Sequence, residues 1–194
     1  MTERTLRSEL FGPPAVASAF EPRATQVLST DDARALADAL ISRSWSPLEQ
    51  HVADHVHRRV EVQQLPVDEF GALTGHLREV MLSVNDLHYR FDVTGSRRSD
   101  APHGVRYTSE HGHYDWHVDA GSAWPTRKLS LVLFLSDPGD YAGGALEVSG
   151  AGSIEPPPPG IGVMFPSFMP HRVTKVTAGE RLVVVGWMHG PTFR

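Results

Sequence analysis

His113-Tyr114-Asp115-Trp116-His117-Val118-Asp119 alternates aromatic or apolar residues with histidines and carboxylates at a period of two. That period is the mark of a β-strand, because successive side chains on an extended chain point to opposite faces. His113, Asp115, His117 and Asp119 would then share one face. A nitrogen and a carboxylate oxygen at i and i+2 can converge on one ion, so the stretch holds two overlapping His-x-Asp ligand pairs. Context separates them. Asp119 is followed by Ala120-Gly121-Ser122, small residues that end a strand and leave room at a mouth, whereas Asp115 is hemmed by Tyr114 and Trp116. The reading selects His117 and Asp119 and assigns His113 and Asp115 to the pocket wall.

Around this stretch the period stays near two. Strands are expected over 103–108, 114–119, 128–136, 146–148, 161–165, 171–176 and 181–188, separated by turn-rich segments such as Asp137-Pro138-Gly139-Asp140 and Thr177-Ala178-Gly179-Glu180. Upstream, Ser29-Thr30-Asp31-Asp32 has a capping hydroxyl and first-turn carboxylates, a helix start whose apolar stripe runs until Ser46-Pro47. Pro66 opens a second helix with Phe70, Leu73, Leu77, Val80, Met81 and Val84 on its buried face. Leu87, Tyr89, Phe91 and Val93 alternate with polar residues and predict another strand; 94–102 reads as a polar loop. Residues 1–28, with Gly12-Pro13-Pro14, read as an irregular lead-in holding one short strand near 26–28. The expectation is a single domain over 1–194: helical support at about 29–86, then a mainly β double-stranded β-helix, or jelly-roll, core at about 87–190.

Composition narrows the classes. A chain of 194 residues with 40% hydrophobic content can bury one sizeable core. A net charge of -5, with Arg97-Arg98 as the one basic cluster, argues against nucleic acid as a partner. The absence of cysteine excludes disulfides, thiolate metal sites and cysteine nucleophiles. The start lacks the apolar core of a signal peptide and no stretch has the length of a membrane span, so a cytoplasmic protein without a membrane partner is expected. His51 and His55 at i, i+4 are interleaved with valines and read as a solvated helix or strand edge.

A third ligand should begin a strand after an apolar one. His171 does so, following Gly160-Ile161-Gly162-Val163-Met164-Phe165-Pro166, while its rival His189 lies beyond the last strand. Two histidines and a carboxylate leave positions free for a chelating cosubstrate and dioxygen, which suits non-haem Fe(II). Arg181, followed by Leu182-Val183-Val184-Val185, is a cation on an apolar strand and needs an anion. Glu147, Glu180 and an acidic cosubstrate are the candidates.

Taken together, Tyr107, Tyr114–Asp119 with its aromatic run, Arg127-Lys128-Leu129-Ser130-Leu131, Gly143-Gly144-Ala145-Leu146, His171-Arg172-Val173, Gly179-Glu180-Arg181 and Trp187 resemble the iron(II)/2-oxoglutarate-dependent dioxygenases, in their prolyl 4-hydroxylase-like branch. The resemblance implies His117, Asp119 and His171 as iron ligands, with Arg181 binding 2-oxoglutarate. It also implies Tyr107 beside the cosubstrate and Trp187 as packing. One departure is Phe134, where some relatives carry a tyrosine that also binds the cosubstrate; Ser130 is the hydroxyl that could replace it. The implied cofactors are Fe(II), 2-oxoglutarate and O2. The implied reaction is hydroxylation of an unactivated C–H bond, with release of succinate and CO2, on an amino acid, peptidyl residue or small metabolite. Trp116 and Arg127, with Trp124, are candidate substrate contacts at the entrance. A cupin-type metalloenzyme and a non-catalytic metal-binding barrel or sensor are the rivals.

Overall fold

The computed structural model describes residues 20–110 and 112–193. The lead-in around Gly12-Pro13-Pro14 lies outside the described residues. The first helix, α1 (Thr30–Ile41), starts where expected. The Ser29 hydroxyl oxygen accepts from the Asp32 backbone N–H at 3.1 Å, and Asp31 and Asp32 occupy the first turn, at the positive end of the helix dipole. The helix ends at Ile41, and Ser46-Pro47 instead opens β2 (Ser46–Val52), a hairpin partner of β3 (His55–Gln64). His51 and His55 therefore sit on facing strands, the former 2.8 Å from Glu49 and the latter hydrogen-bonded to Asp115. The second helix, α2 (Val67–Val84), follows Pro66 and buries Leu77, Met81 and Val84.

The strand expected over 87–93 is absent. The chain leaves α2 through a π turn, Asn85–Tyr89, closed by Arg90 at φ 56°. The Asn85 side chain donates to the Phe91 carbonyl and accepts from the Phe91 N–H, both at 3.0 Å. One amide thus satisfies the backbone groups that a neighbouring strand would have satisfied. Tyr89 is buried and its hydroxyl donates to the Met164 carbonyl at 2.9 Å, whereas Leu87 is 66% exposed. The alternation there records which side chains tuck under the sheet.

Ten further strands complete the fold: β1 (Arg23–Gln26), β4 (His103–Thr108), β5 (His113–His117), β6 (Arg127–Phe134), β7 (Tyr141–Gly143), β8 (Leu146–Val148), β9 (Gly152–Ile154), β10 (Ile161–Pro166), β11 (His171–Val173) and β12 (Val176–His189). Their order is β1-β10-β6-β12-β4-β3-β5-β11-β8-β9, with β2 added to β3 and β7 to β12. The pivot is β3. Its Glu61–Gln64 end pairs with β4, and Arg58 and Arg59 pair with β5, so the sheet curls over into a jelly roll. Three of these strands precede residue 87, and the β core draws on more of the chain than the 87–190 expected for it.

Every residue of β6 is buried, because the strand has an apolar layer on each side. Leu129, Leu131 and Leu133 pack with Leu40 of α1 and Leu77 and Met81 of α2. Val132 and Phe134 point the other way, into the space between the two halves of the sheet, with Val105, Val148, Val163 and Phe165. The expected turn at 177–180 is a bulge inside β12: Val176–Gly179 pairs with β7, and the strand runs on to pair with β4 and β6. Gly179 makes this possible at φ 67°, where an added Cβ would lie 1.9 Å from the Asp140 carbonyl oxygen.

Candidate metal centre

A β-bulge sets the two His-x-Asp pairs apart. His171 lies opposite His117 across the β5–β11 ladder, but Val173 lies opposite Tyr114, so β5 carries one extra residue between them. An extra residue reverses the alternation beyond it. Tyr114 and His117 consequently both line the central cavity, of about 550 Å³. His113 is buried elsewhere, its Nε2 2.9 Å from the Val56 carbonyl, and Asp115 hydrogen-bonds His55. Neither lines the cavity, contrary to the expectation that they form its wall.

Asp119 lies two residues beyond the end of β5. Its N–H and that of Ala120 each donate to the Ser167 carbonyl at 2.9 Å, which pins this loop against the segment leading into His171. The result is a compact triangle. His117 Nε2 is 3.7 Å from Asp119 Oδ1, and His171 Nε2 is 3.6 Å from Asp119 Oδ2. Among the described residues these three form the group able to hold a metal ion, their ligand atoms within 4.8 Å of one another. Both imidazoles are set for it. His117 Nδ1 is 2.7 Å from the Asp115 carbonyl and His171 Nδ1 is 3.0 Å from the Met169 carbonyl. A carbonyl only accepts, so Nδ1 carries the proton and Nε2 keeps its lone pair for a metal. Burial, then the charge of His171, brings His117 down to about 3, so it is neutral near pH 7. Burial alone would raise the Asp119 carboxyl, but His171, His117 and the donors Ser130 and Trp187 outweigh it and hold it below its ordinary value.

The surrounding shell is where sequence reading fell short. Ser130 donates to Asp119 at 2.6 Å and exchanges a 2.9 Å hydrogen bond with Ser167, so it is committed here and not beside Arg181. Trp187, expected to pack, donates its Nε1–H to Asp119 at 2.9 Å. Its ring carries the Arg127 guanidinium at 3.5 Å, and Arg127 grips the buried Asp100 through two hydrogen bonds of 2.7 and 2.5 Å. Asp100 also meets His189 Nε2 at 3.0 Å, which accounts for the rival histidine as a fully buried structural partner. Arg127 lines the cavity with its charge already engaged. Trp116 does not line it; this side chain is 45% exposed, with Arg172 stacked at 5.0 Å.

Arg181 is the strongest electrostatic feature. It is fully buried, and none of its three guanidinium nitrogens has a hydrogen-bond partner. Both protein carboxylates considered for it are used elsewhere, Glu147 by Arg172 at 2.7 Å and Glu180 by Arg106 at 3.7 Å. Tyr107, its register partner on β4, and Phe134 sandwich the guanidinium at 5.0 and 4.9 Å. Tyr141 stands close enough for its phenol to interact with the Arg181 side chain; burial raises this phenol, against the charge of Arg181 and that side-chain interaction. Gly144 keeps this space open: at φ 64°, a Cβ there would stand 2.8 Å from Val176 Cγ2 and 3.0 Å from Arg181 Cδ. A buried guanidinium without an anion costs several kcal/mol at the least, on the order of what an unpaired buried charge costs elsewhere. Among the described residues, no carboxylate is left free to answer this charge.

Comparison with known proteins agrees with this arrangement. The family model described as the 2OG-Fe(II) oxygenase superfamily matches residues 102–189. A PKHD-type hydroxylase of Hyphomonas neptunium is 34% identical over 170 residues, covering 84% of this chain and 75% of the relative. Another, of Nitrosomonas europaea, is 31% identical over 178 residues, covering 80% and 75%. Among solved structures, a prolyl-4-hydroxylase from Pseudomonas putida is similar in fold, with a TM-score of 0.69, 22% identity and coverage of 89% of this chain and 94% of that one. No helix among the described residues is long and apolar enough to cross a membrane. The chain belongs to the 2OG-Fe(II) oxygenase superfamily, in its prolyl 4-hydroxylase-like branch, and is a dioxygenase of the class that uses Fe(II), 2-oxoglutarate and O2 to hydroxylate its substrate.

Proposed function

We propose that His117, Asp119 and His171 hold the Fe(II), that Arg181 receives the far carboxylate of 2-oxoglutarate, and that Tyr107 forms one wall of that cosubstrate pocket. The substrate is an amino acid, a peptidyl residue or a small metabolite with an unactivated C–H bond. The observation that carries this reading is the orphaned guanidinium of Arg181, fully enclosed on the lining of the same cavity as the triad. A cupin-type metalloenzyme or a silent barrel would leave those three nitrogens without a partner. A dicarboxylate that places one end at a metal supplies one.

When bound, iron and 2-oxoglutarate supply with dioxygen the oxidising chemistry that yields hydroxylated product, succinate and CO2. The chain contributes position and environment. The carbonyls of Asp115 and Met169 fix the tautomer and tilt of the two imidazoles. Ser130 and Trp187 both bond Asp119 Oδ2, and a carboxylate held this way is fixed before any metal arrives. Val105, Val132, Val183 and Leu146 give the cavity apolar walls that strengthen the Arg181–carboxylate attraction. Phe134 removes the hydroxyl that some relatives use there, leaving Arg181 as the principal anchor. Succinate release measured with Fe(II), 2-oxoglutarate and a panel of free amino acids and short peptides tests the reading; an iron-dependent signal for at least one member is expected, and none above the metal-free control counts against it.

A further inference from the structure

Among the charged side chains that line the cavity, both carboxylates are already engaged. Asp100 is held by Arg127 and His189, and Asp119 by Ser130 and Trp187 within the metal triangle. With a dicarboxylate on Arg181, the unanswered charges of the lining are Arg58 and, at the mouth, the exposed Arg98 of the short 3-10 turn Arg98–Asp100. Arg58 comes from β3 and enters the cavity beside the triad. Its guanidinium lies 4.5 Å over the ring of Tyr114, and that ring stacks in turn on His117 with centroids 3.4 Å apart. Its Nε is buried with no hydrogen-bond partner, and its one described contact of a polar kind is this aromatic face. Arg58 lines the cavity together with His103 of β4 and His117 of β5, and it is partly exposed.

We infer that the substrate carries its own carboxylate and that Arg58 binds it, making this a hydroxylase of small free acids, such as unblocked amino acids, in preference to internal residues of a peptide. The inference rests on the cosubstrate reading above. Two cations of different character serve two anions. Arg181 is enclosed between aromatic rings and has access to nothing but a ligand already inside, whereas Arg58 is partly exposed on the route inward. A planar guanidinium with free donors matches a carboxylate bidentately. A peptide bond in place of that carboxylate would leave Arg58 unanswered beside the triad. A substrate of net positive charge would meet Arg58 and Arg98 with no free acid in the lining to offset it, whereas a zwitterionic amino acid is neutral overall. Gln50 and Gln64, also on the lining, bond neutral polar groups and do not change this balance.

The test uses the full chain loaded anaerobically with Fe(II) and saturating 2-oxoglutarate. Titration calorimetry with a panel of free L-amino acids, each paired with its amide, and with an end-capped prolyl peptide reports binding without turnover. At least one free acid should bind about 10- to 100-fold more tightly than its amide, the size of a hydrogen-bonded charge contact. Arg58→Met should collapse that ratio to near unity, and Arg58→Lys should restore part of it, while both keep the affinity for 2-oxoglutarate within about twofold of wild type. Equal binding of acids and amides, preference for the capped peptide, absence of binding by any acid, or an unchanged ratio in Arg58→Met would each overturn the inference. Failure of the wild type to bind 2-oxoglutarate would overturn the cosubstrate reading instead.

Discussion

Arg181→Met should make the protein more stable in the absence of cosubstrate and blind to 2-oxoglutarate. The guanidinium is fully buried and no carboxylate pairs with its nitrogens, so the folded state bears its desolvation with no compensating anion. Methionine retains most of the apolar stem between Tyr107 and Phe134 and removes the charge. Exchanging buried ionic groups for apolar ones of similar volume stabilises by about 1–4 kcal/mol in well-packed sites. For a chain of this size each kcal/mol is worth about 2–4 °C, so the Mn(II)-loaded variant should melt roughly 2–16 °C above Mn(II)-loaded wild type. Wild type should gain about 2.7 kcal/mol when 2-oxoglutarate is present at a hundred times its Kd, and Arg181→Met should gain nothing. Differential scanning fluorimetry with and without 2-oxoglutarate reads both effects. If the variant melts below wild type and still responds to the ligand, Arg181 is a structural residue with a partner and the argument fails.

Trp187→Phe keeps an aromatic face under Arg127 but deletes the donor to Asp119; metal affinity, measured by competition with a chelator, should fall about 10- to 100-fold with little change in melting temperature. Asp100→Asn leaves the buried Arg127 charge without its counter-ion, and chemical denaturation should show a loss of about 3–5 kcal/mol. His103 is brought down to about 4, chiefly by burial, from an ordinary value of 6.5. Its folded pKa lies below its unfolded one, so its contribution is complete above pH 6.5 and is lost as pH falls toward 4. Urea unfolding across that window should lose up to roughly 3 kcal/mol more in wild type than in His103→Gln.

Which parts of this were legible beforehand follows from what a linear pattern can encode. Alternation located β4 and β8, where burial on one face imposes a period of two, and apolar runs bounded by turn residues located β6, β10 and the apolar half of β12, which are covered on both faces. The same rule misread 87–93, where Tyr89 and Phe91 tuck inward from a π turn and an asparagine side chain stands in for a ladder. Val60-Glu61-Val62 alternates and reads as a short strand, which lies inside β3, but the pattern failed to anticipate its hairpin partner β2, which is exposed along nearly its whole length. Choosing His117 and Asp119 over their neighbours rested on the small residues that follow Asp119, yet the physical reason is the β5 bulge, and one extra residue leaves no signature in composition. Arg181 stood out because a cation on an apolar strand demands an anion, and showing that Glu147 and Glu180 are taken needed coordinates. Trp187 and Asp100 act through hydrogen bonds that span 68 and 27 positions, to Asp119 and Arg127 respectively, a relation that spacing along the chain does not reveal.

The central claim is that His117, Asp119 and His171, and not the upstream pair, form an iron centre that shares its cavity with a 2-oxoglutarate anchor. Anaerobic visible absorption after adding Fe(II) and 2-oxoglutarate tests it most directly. A weak charge-transfer band should appear in wild type and persist in His113→Ala, which leaves the triad intact, and it should vanish in His117→Ala. A band that survives in His117→Ala and is lost in His113→Ala would contradict the assignment, and no band in folded wild type would contradict the centre itself.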